Sequence, residues 1–202
     1  NIFYLEDGEA TQKKIKKTWK KANKKVKKDG KLWVVLIGHG SSHKEKAFFM
    51  PVDTPVSKKG PRKKGWYWSE VQKKAKKGDQ DHIISVTEAC FNGKIPSGDT
   101  INVEAEPPSA ASMVTDGILM LMSNGTNECP EEMSSLDQHP FSYLAIGALR
   151  GWGDVDLDVN ITAKEVESYI NKAISFAAPS RSQSVRLLGT ELAMGLSEGK
   201  EE

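Results

Sequence analysis

The 202-residue sequence predicts an α/β domain, doubly wound around a mostly parallel sheet with helices on its faces. Three observations point there. Short apolar runs recur at 32–37, 83–86 and 117–122, and each leads into a glycine-containing turn, as strands buried on both faces do. Segments with apolar residues at helical spacing separate and follow these runs. Their alternation is the pattern of layered α/β folds, and the length suits a single domain with a sizeable core.

Taken in order, Ile2–Leu5 reads as the body of a strand that turns at Glu6-Asp7-Gly8-Glu9. A sequence opening inside a strand is expected to be a fragment, a processed product or a trimmed piece. Thr11 is positioned to cap a lysine-rich helix whose apolar face is Ile15, Trp19, Ala22 and Val26, stopping at Asp29-Gly30. The run Leu32–Ile37 should be a parallel strand covered on both faces. Phe48-Phe49-Met50 reads as a short strand or hairpin arm within a loop-rich region, and Ser69–Lys77 as a second lysine-rich helix. Trp66-Tyr67-Trp68, just before it, suits either the wall of a cleft or core packing. After the Ile83 strand comes an acidic, proline-containing segment, Lys94–Ser112, which reads as a loop or linker. Gly117–Met122 is a strand, and Phe141–Leu149 and Thr162–Ile174 are helices. The domain is expected to occupy residues 1–180, with 181–202 as a C-terminal extension.

Composition narrows the function classes. With 38% hydrophobic and 28% charged residues, and no long apolar run, a membrane span is not expected, and no secretory signal is visible. Two cysteines, Cys90 and Cys129, are too few for a disulfide framework, so a reducing, cytoplasmic setting is the default. The net charge of +2 conceals an asymmetry: residues 1–80 hold 22 Lys/Arg against 8 Asp/Glu, and the remainder is correspondingly acidic. The lysines surround one apolar helix face and have no aromatic interleaving, which reads as a solvated surface; nucleic acid is not an expected partner. His43, His82 and His139 lack metal-like spacing with Cys129, so zinc is not expected.

Two strand ends carry chemistry. A cysteine after an apolar strand is by itself most simply a small core residue. However, ligands bind open α/β sheets beyond the carboxyl ends of the strands, and here one end offers His39 and another Cys90. An imidazole beside a thiol can take its proton or stabilise the thiolate, and later protonate a leaving amine. The backbone N–H groups of Gly40 and Cys90 are candidate donors to a developing oxyanion.

These residues resemble a family. Gly38-His39-Gly40 after one apolar strand and Glu88-Ala89-Cys90-Phe91-Asn92-Gly93 after the next are similar to the motifs of caspase-fold cysteine peptidases. That group comprises caspases, metacaspases, bacterial caspase-like peptidases, legumains and separases, and the bacterial caspase-like and metacaspase branch is the nearest. Three flanks agree: Leu5–Thr11 before the first helix, Phe49-Met50-Pro51-Val52-Asp53 after the histidine strand, and Phe141–Leu144 through Asp154–Asp158 to Ile161-Thr162 and Glu165. The resemblance covers about residues 2–175. It implies a cysteine endopeptidase acting on protein or peptide substrates through a His39/Cys90 dyad. It also implies a first strand and helix ahead of the segment seen here, supplied by a separate N-terminal fragment, a regulatory chain or sequence outside this one.

The resemblance further suggests a specificity. In metacaspases the acid two residues before the cysteine helps to line a pocket for a P1 Lys or Arg, and here that residue is Glu88. A carboxylate facing a guanidinium makes a strong charge-assisted contact. Legumains carry Glu at this place yet prefer Asn, so a legumain-like asparaginyl endopeptidase stays open, as does a non-catalytic interaction module of the same fold. Strand Gly117–Met122, with Ser123, Asn124 and Gly125, is expected to pair with extended substrate. Glu128, Glu131 and Glu132 are candidates for a second pocket acid, and Lys94 for self-cleavage in the linker. No cofactor is expected, with one weak candidate. Asp154, Asp156, Asp158, Asn160, Thr162 and Glu165 match positions 1, 3, 5, 7, 9 and 12 of a calcium-binding loop, but Val159 stands where a glycine is expected. Thr162-Ala163-Lys164-Glu165 is independently a capping box, the favoured reading.

Overall fold

A mostly parallel sheet with helices against both faces forms the centre of the molecule. The computed structural model describes residues 1–55, 60–75, 77–91, 108–125, 140–177, 183–189 and 195–198. In chain order the elements are helix α1 (Gln12–Asn23), strands β1 (Lys31–Ile37), β2 (Gly40–His43) and β3 (Lys46–Phe49), helix α2 (Gly60–Lys64), strand β4 (Trp66–Tyr67), helix α3 (Trp68–Ala75) and strand β5 (His82–Glu88). There follow helix α4 (Ala110–Met113), strand β6 (Ile118–Met122), helix α5 (Pro140–Gly147), strand β7 (Asn160–Thr162), helix α6 (Ala163–Ala177), and strands β8 (Arg186–Leu188) and β9 (Gly195–Glu198). The central sheet runs β1-β5-β6-β8: the first two pairings are parallel and β8 is antiparallel. Strands β2-β3-β4 form a small antiparallel sheet, and β7 pairs with β9.

The period-two pleat sorts side chains between two helical layers. One face presents Leu32, Val34, Ile83, Ile118, Met120 and Met122 to Trp19 of α1 and to Trp68, Val71 and Ala75 of α3. The other presents Leu121 and Val86 to Phe141 and Ala145 of α5 and to Val166, Ile170 and Ile174 of α6. Helix α1 starts as its sequence predicts, with the Thr11 hydroxyl accepting from Lys14 N–H, and its basic face points outward.

Several expectations require correction. Residues 2–5 form no strand and Ile2 and Tyr4 are exposed, because no neighbouring strand pairs with them among the described residues. Helix α1 stops at Asn23, before Asp29-Gly30, and Asp29 adopts a left-handed φ of 64°. Strand β1 is not covered on both faces. It is a sheet edge, and Trp33, Val35 and Ile37 are exposed while Leu32 and Val34 are buried. Trp66 and Trp68 are core residues, 2% and 1% exposed, and do not wall a cleft. The segment expected as an extension beyond residue 180 instead supplies β8 to the central sheet and β9 to the β7 pair. Their runs of three and four residues are too short for a periodic signal, and pairing with β6 and β7 defines them. Among the described residues no helix is long and apolar enough to cross a membrane.

Candidate active site at the carboxyl edge of the sheet

Parallel pairing of β1 with β5 places His39 and Cys90 side by side in sequence register. Ile37 lies opposite Glu88, so each of the two residues stands two positions past the last pair. The ladder continues through Gly38, whose N–H donates to Glu88 O at 3.0 Å. Gly38 has a φ of 145°, a conformation that side-chain-bearing residues rarely adopt, and it turns the chain from β1 towards β2. Gly40 then packs onto the cysteine loop. A Cβ there would lie 2.7 Å from Cys90 O and 2.9 Å from the Phe91 ring.

The surrounding bonds hold this edge together. Ser42, wholly buried, donates its hydroxyl to Phe91 O at 3.1 Å. Phe91 is fully buried and meets Phe49 edge-on, with ring centroids 5.4 Å apart. Met50 N–H donates to His39 O. Since bonded and non-bonded pairs alternate along an antiparallel ladder, Gly40, opposite Phe49, falls at a non-bonded position with its N–H directed away from β3. His39 itself is exposed, whereas Cys90 is 3% exposed.

Cys90 is disulfide-bonded, and no cysteine among the described residues is free. The chain has one other cysteine, Cys129, which lies outside the described residues. The free thiol expected at Cys90 is therefore corrected.

Glu88 ends β5 as a buried carboxylate, 5% exposed, on the face covered by α5. It accepts a short hydrogen bond from the Ser142 hydroxyl of that helix. Ser142 went unnoticed in the sequence, since a serine inside an apolar helical run gives no hint of a carboxylate above it. Ser123 and Asn124 follow β6 and are fully buried. Ser123 Oγ and Asn124 Oδ1 are 2.5 Å apart, Asn124 Nδ2 donates to Gly125 O, and Gln183 donates to Ser123 O. Within β6, Ile118–Met122 pair with β5 on one side and Met120–Met122 with β8 on the other. Lys94, Glu128, Glu131, Glu132 and His139 lie outside the described residues.

Away from this edge, the acidic loop brings carboxylate oxygens of Asp154, Asp156 and Asp158 within 4.8 Å of one another. Val159 adopts the left-handed conformation that the missing glycine would favour, with φ 69°. Glu165 is engaged elsewhere: its carboxylate accepts from Thr162 N–H and Oγ1 and from Val155 N–H, and Glu165 N–H donates to Thr162 Oγ1. This is the reciprocal capping box, and the Thr162 bonds hold the Glu165 carboxyl below the ordinary glutamate range.

No family model matches the chain, and no curated protein matches it. Among solved structures it is similar to protein GSU0716 from Geobacter sulfurreducens, a structural-genomics target. The TM-score is 0.61 at 12% identity, with 97% of this chain and 82% of that one covered. Likeness at that identity extends to the mixed α/β architecture alone.

Proposed function

We propose that this chain is a caspase-fold cysteine endopeptidase in which Cys90, as a thiolate, attacks the scissile carbonyl and His39 manages the proton. One observation carries the reading: the β1–β5 register sets an imidazole and a sulfur at equivalent positions on one sheet edge, with Gly40 closed against the cysteine backbone. In the reduced enzyme His39 takes the Cys90 proton, and the backbone N–H of Gly40, with that of Cys90, stabilises the oxyanion. His39 then protonates the leaving amine, and water hydrolyses the thioester. A buried Glu88 two residues before Cys90 favours a basic P1 residue, with Ser142 orienting the carboxylate.

The test is hydrolysis of a peptide panel varied at P1, after reduction, by the parent chain and by Cys90→Ala and Glu88→Gln. Cys90→Ala should lower turnover by about 10⁴-fold or more, the scale seen when a nucleophile is removed. Glu88→Gln should lose about 10–100-fold in kcat/KM on Arg and Lys substrates and little on others. Full activity in Cys90→Ala defeats the peptidase reading. Cleavage only after Asn or Asp defeats the Glu88 assignment and leaves the dyad standing, and the Asn result is the legumain-like outcome.

One observation favours a second reading. A disulfide-bonded, buried Cys90 also suits a non-catalytic module in which this sulfur merely pins a loop. Covalent labelling of reduced Cys90 by a peptidyl chloromethyl ketone separates the two, since only an activated thiolate held beside a substrate cleft reacts selectively.

A further inference from the structure

We propose that the outer side of α1 and α3 is a docking face for nucleic acid, binding the phosphodiester backbone without reading its sequence. The inference stands apart from the peptidase reading and uses none of its residues. Residues 12–28 hold ten lysines and no acidic residue. Sequence alone leaves these as a solvated helix face. The fold lays a second basic helix alongside, with Lys16 bridging to Glu70 and Asn23 Nδ2 donating to Lys74 O. Lys73 and Lys74 of α3 thereby extend the face, and the one acid on that helix, Glu70, is already matched by Lys16.

Helical spacing sets the geometry. Lys13, Lys17, Lys20 and Lys24 recur every four, three and four residues, on the side of the helix opposite Ile15, Trp19 and Val26. All four are exposed, and Lys24 keeps a helical backbone at the C-cap, so the stripe runs unbroken. It spans about 16 Å at the helical rise per residue. Duplex DNA carries about one negative charge per 1.7 Å of axis, so a stripe of that length faces several phosphates. Lysine supplies point charge rather than a planar fork, which suits phosphate oxygens better than base edges. The two amide side chains of α1 are turned to protein: Gln12 donates to Lys64 O and Gly65 O, and Asn23 to Lys74 O. Neither is presented to a base. A bilayer fits this face less well. Interfacial helices bury an apolar side in lipid, whereas here that side is packed into the core, and no large apolar side chain is exposed on α1 or α3. The net charge of the chain is only +2, so the attraction belongs to this face and not to the molecule as a whole.

The experiment follows the fluorescence anisotropy of a labelled, mixed-sequence DNA duplex titrated with the full 202-residue chain over a series of salt concentrations. Four phosphate contacts give an expected slope of about −3.6 in log K against log salt, so raising salt about fourfold should weaken binding about 100-fold. Lys13→Gln, Lys17→Gln, Lys20→Gln and Lys24→Gln together should remove most of that slope and weaken binding about 100-fold or more at low salt. Glutamine has nearly the helix propensity of lysine, and the circular dichroism spectrum checks that the variant is folded. A control removes the same charge from α6, its neighbouring segment and β8, through Arg150→Gln, Lys164→Gln, Lys172→Gln and Arg186→Gln, all exposed. It should leave binding within about threefold, because charges beyond the screening length contribute little. No binding at low salt, a slope near zero, or an equal loss in the control overturns the docking face. Affinities for AT-rich and GC-rich duplexes that differ by more than about tenfold overturn the backbone-only mode, since phosphates carry no sequence. Binding to phosphatidylserine vesicles without binding to the duplex assigns the face to a membrane and overturns the proposal. None of these outcomes bears on the peptidase reading, which Cys90→Ala tests separately.

Discussion

Strands β1 and β5 are hydrogen-bonded neighbours of seven residues each, and each ends two residues short of a member of the proposed dyad, yet they occupy opposite environments. Strand β5 lies between β1 and β6, with five of its seven residues buried and helical layers against both faces. Strand β1 forms the sheet edge and buries only alternate residues, with Val35 61% and Ile37 68% exposed. The proposed nucleophile thus follows a well-buried strand, and its proposed partner imidazole an open one. On the proposed dyad, rigidity goes to the sulfur, whose position must be fixed for attack. Solvent access goes to the histidine, which in that proposal exchanges a proton in each half-reaction. Stability should then reside mainly in β5, and a separable share of the chemistry at the end of β1.

The largest expected effect tests that division directly. On the proposed mechanism, His39→Ala should reduce peptide turnover by the reduced chain by about 10²–10⁴-fold, the range for a positioned general acid–base. Because His39 is exposed, its urea midpoint should stay close to that of the parent. A large loss of stability in this variant would break the comparison.

Next comes a matched pair of truncations. Ile84 is 1% exposed, and its replacement by Ala should cost about 2–5 kcal/mol in chemical denaturation through lost burial and a residual cavity. Val35→Ala, on the neighbouring strand two residues beyond the partner of Ile84, should cost less than about 0.5 kcal/mol. Comparable losses at the two positions would show that something covers the β1 face in solution.

Gly40→Ala probes where the two strand ends meet. The added Cβ falls against a backbone carbonyl and a fully buried ring, neither able to give way cheaply, so stability should drop by about 1–3 kcal/mol. Displacement of Cys90 relative to His39 should depress kcat more than it raises KM, and the ratio of the two changes measures how tightly the edge is set.

The smallest effect lies far from both strands and serves as their control. Glu165 has a lowered pKa in the folded chain, so its contribution to stability is present above the unfolded glutamate value near 4.5 and is lost as pH falls through the lower folded value. Thr162→Ala should remove about 1 kcal/mol at neutral pH, and flatten this acid-side slope without altering hydrolysis. Denaturation midpoints measured between pH 3 and 7 provide the check.

Local patterns were sufficient for much of this architecture. The three apolar runs became β1, β5 and β6, Thr11 capped α1, and Thr162 with Glu165 formed a capping box, because each depends on residues only a few positions apart. The same holds for His39 and Cys90 as candidates: each ends an apolar run, and residue type alone marks their chemistry. What depends on distant segments was decided by packing. Burial could not be read from Leu32–Ile37, since a continuous apolar run looks alike at the centre and at the edge of a sheet. Pairing of Met120–Met122 on the outer side of β6 needed β8, a three-residue strand more than 60 residues further along. Ser142 reaching Glu88 across 54 residues, and a disulfide in place of a thiol at Cys90, are likewise long-range choices that no local periodicity encodes. Residue chemistry and spacing therefore named the candidate groups, whereas tertiary contacts set their exposure and partners, because those properties belong to pairs of segments rather than to either one alone.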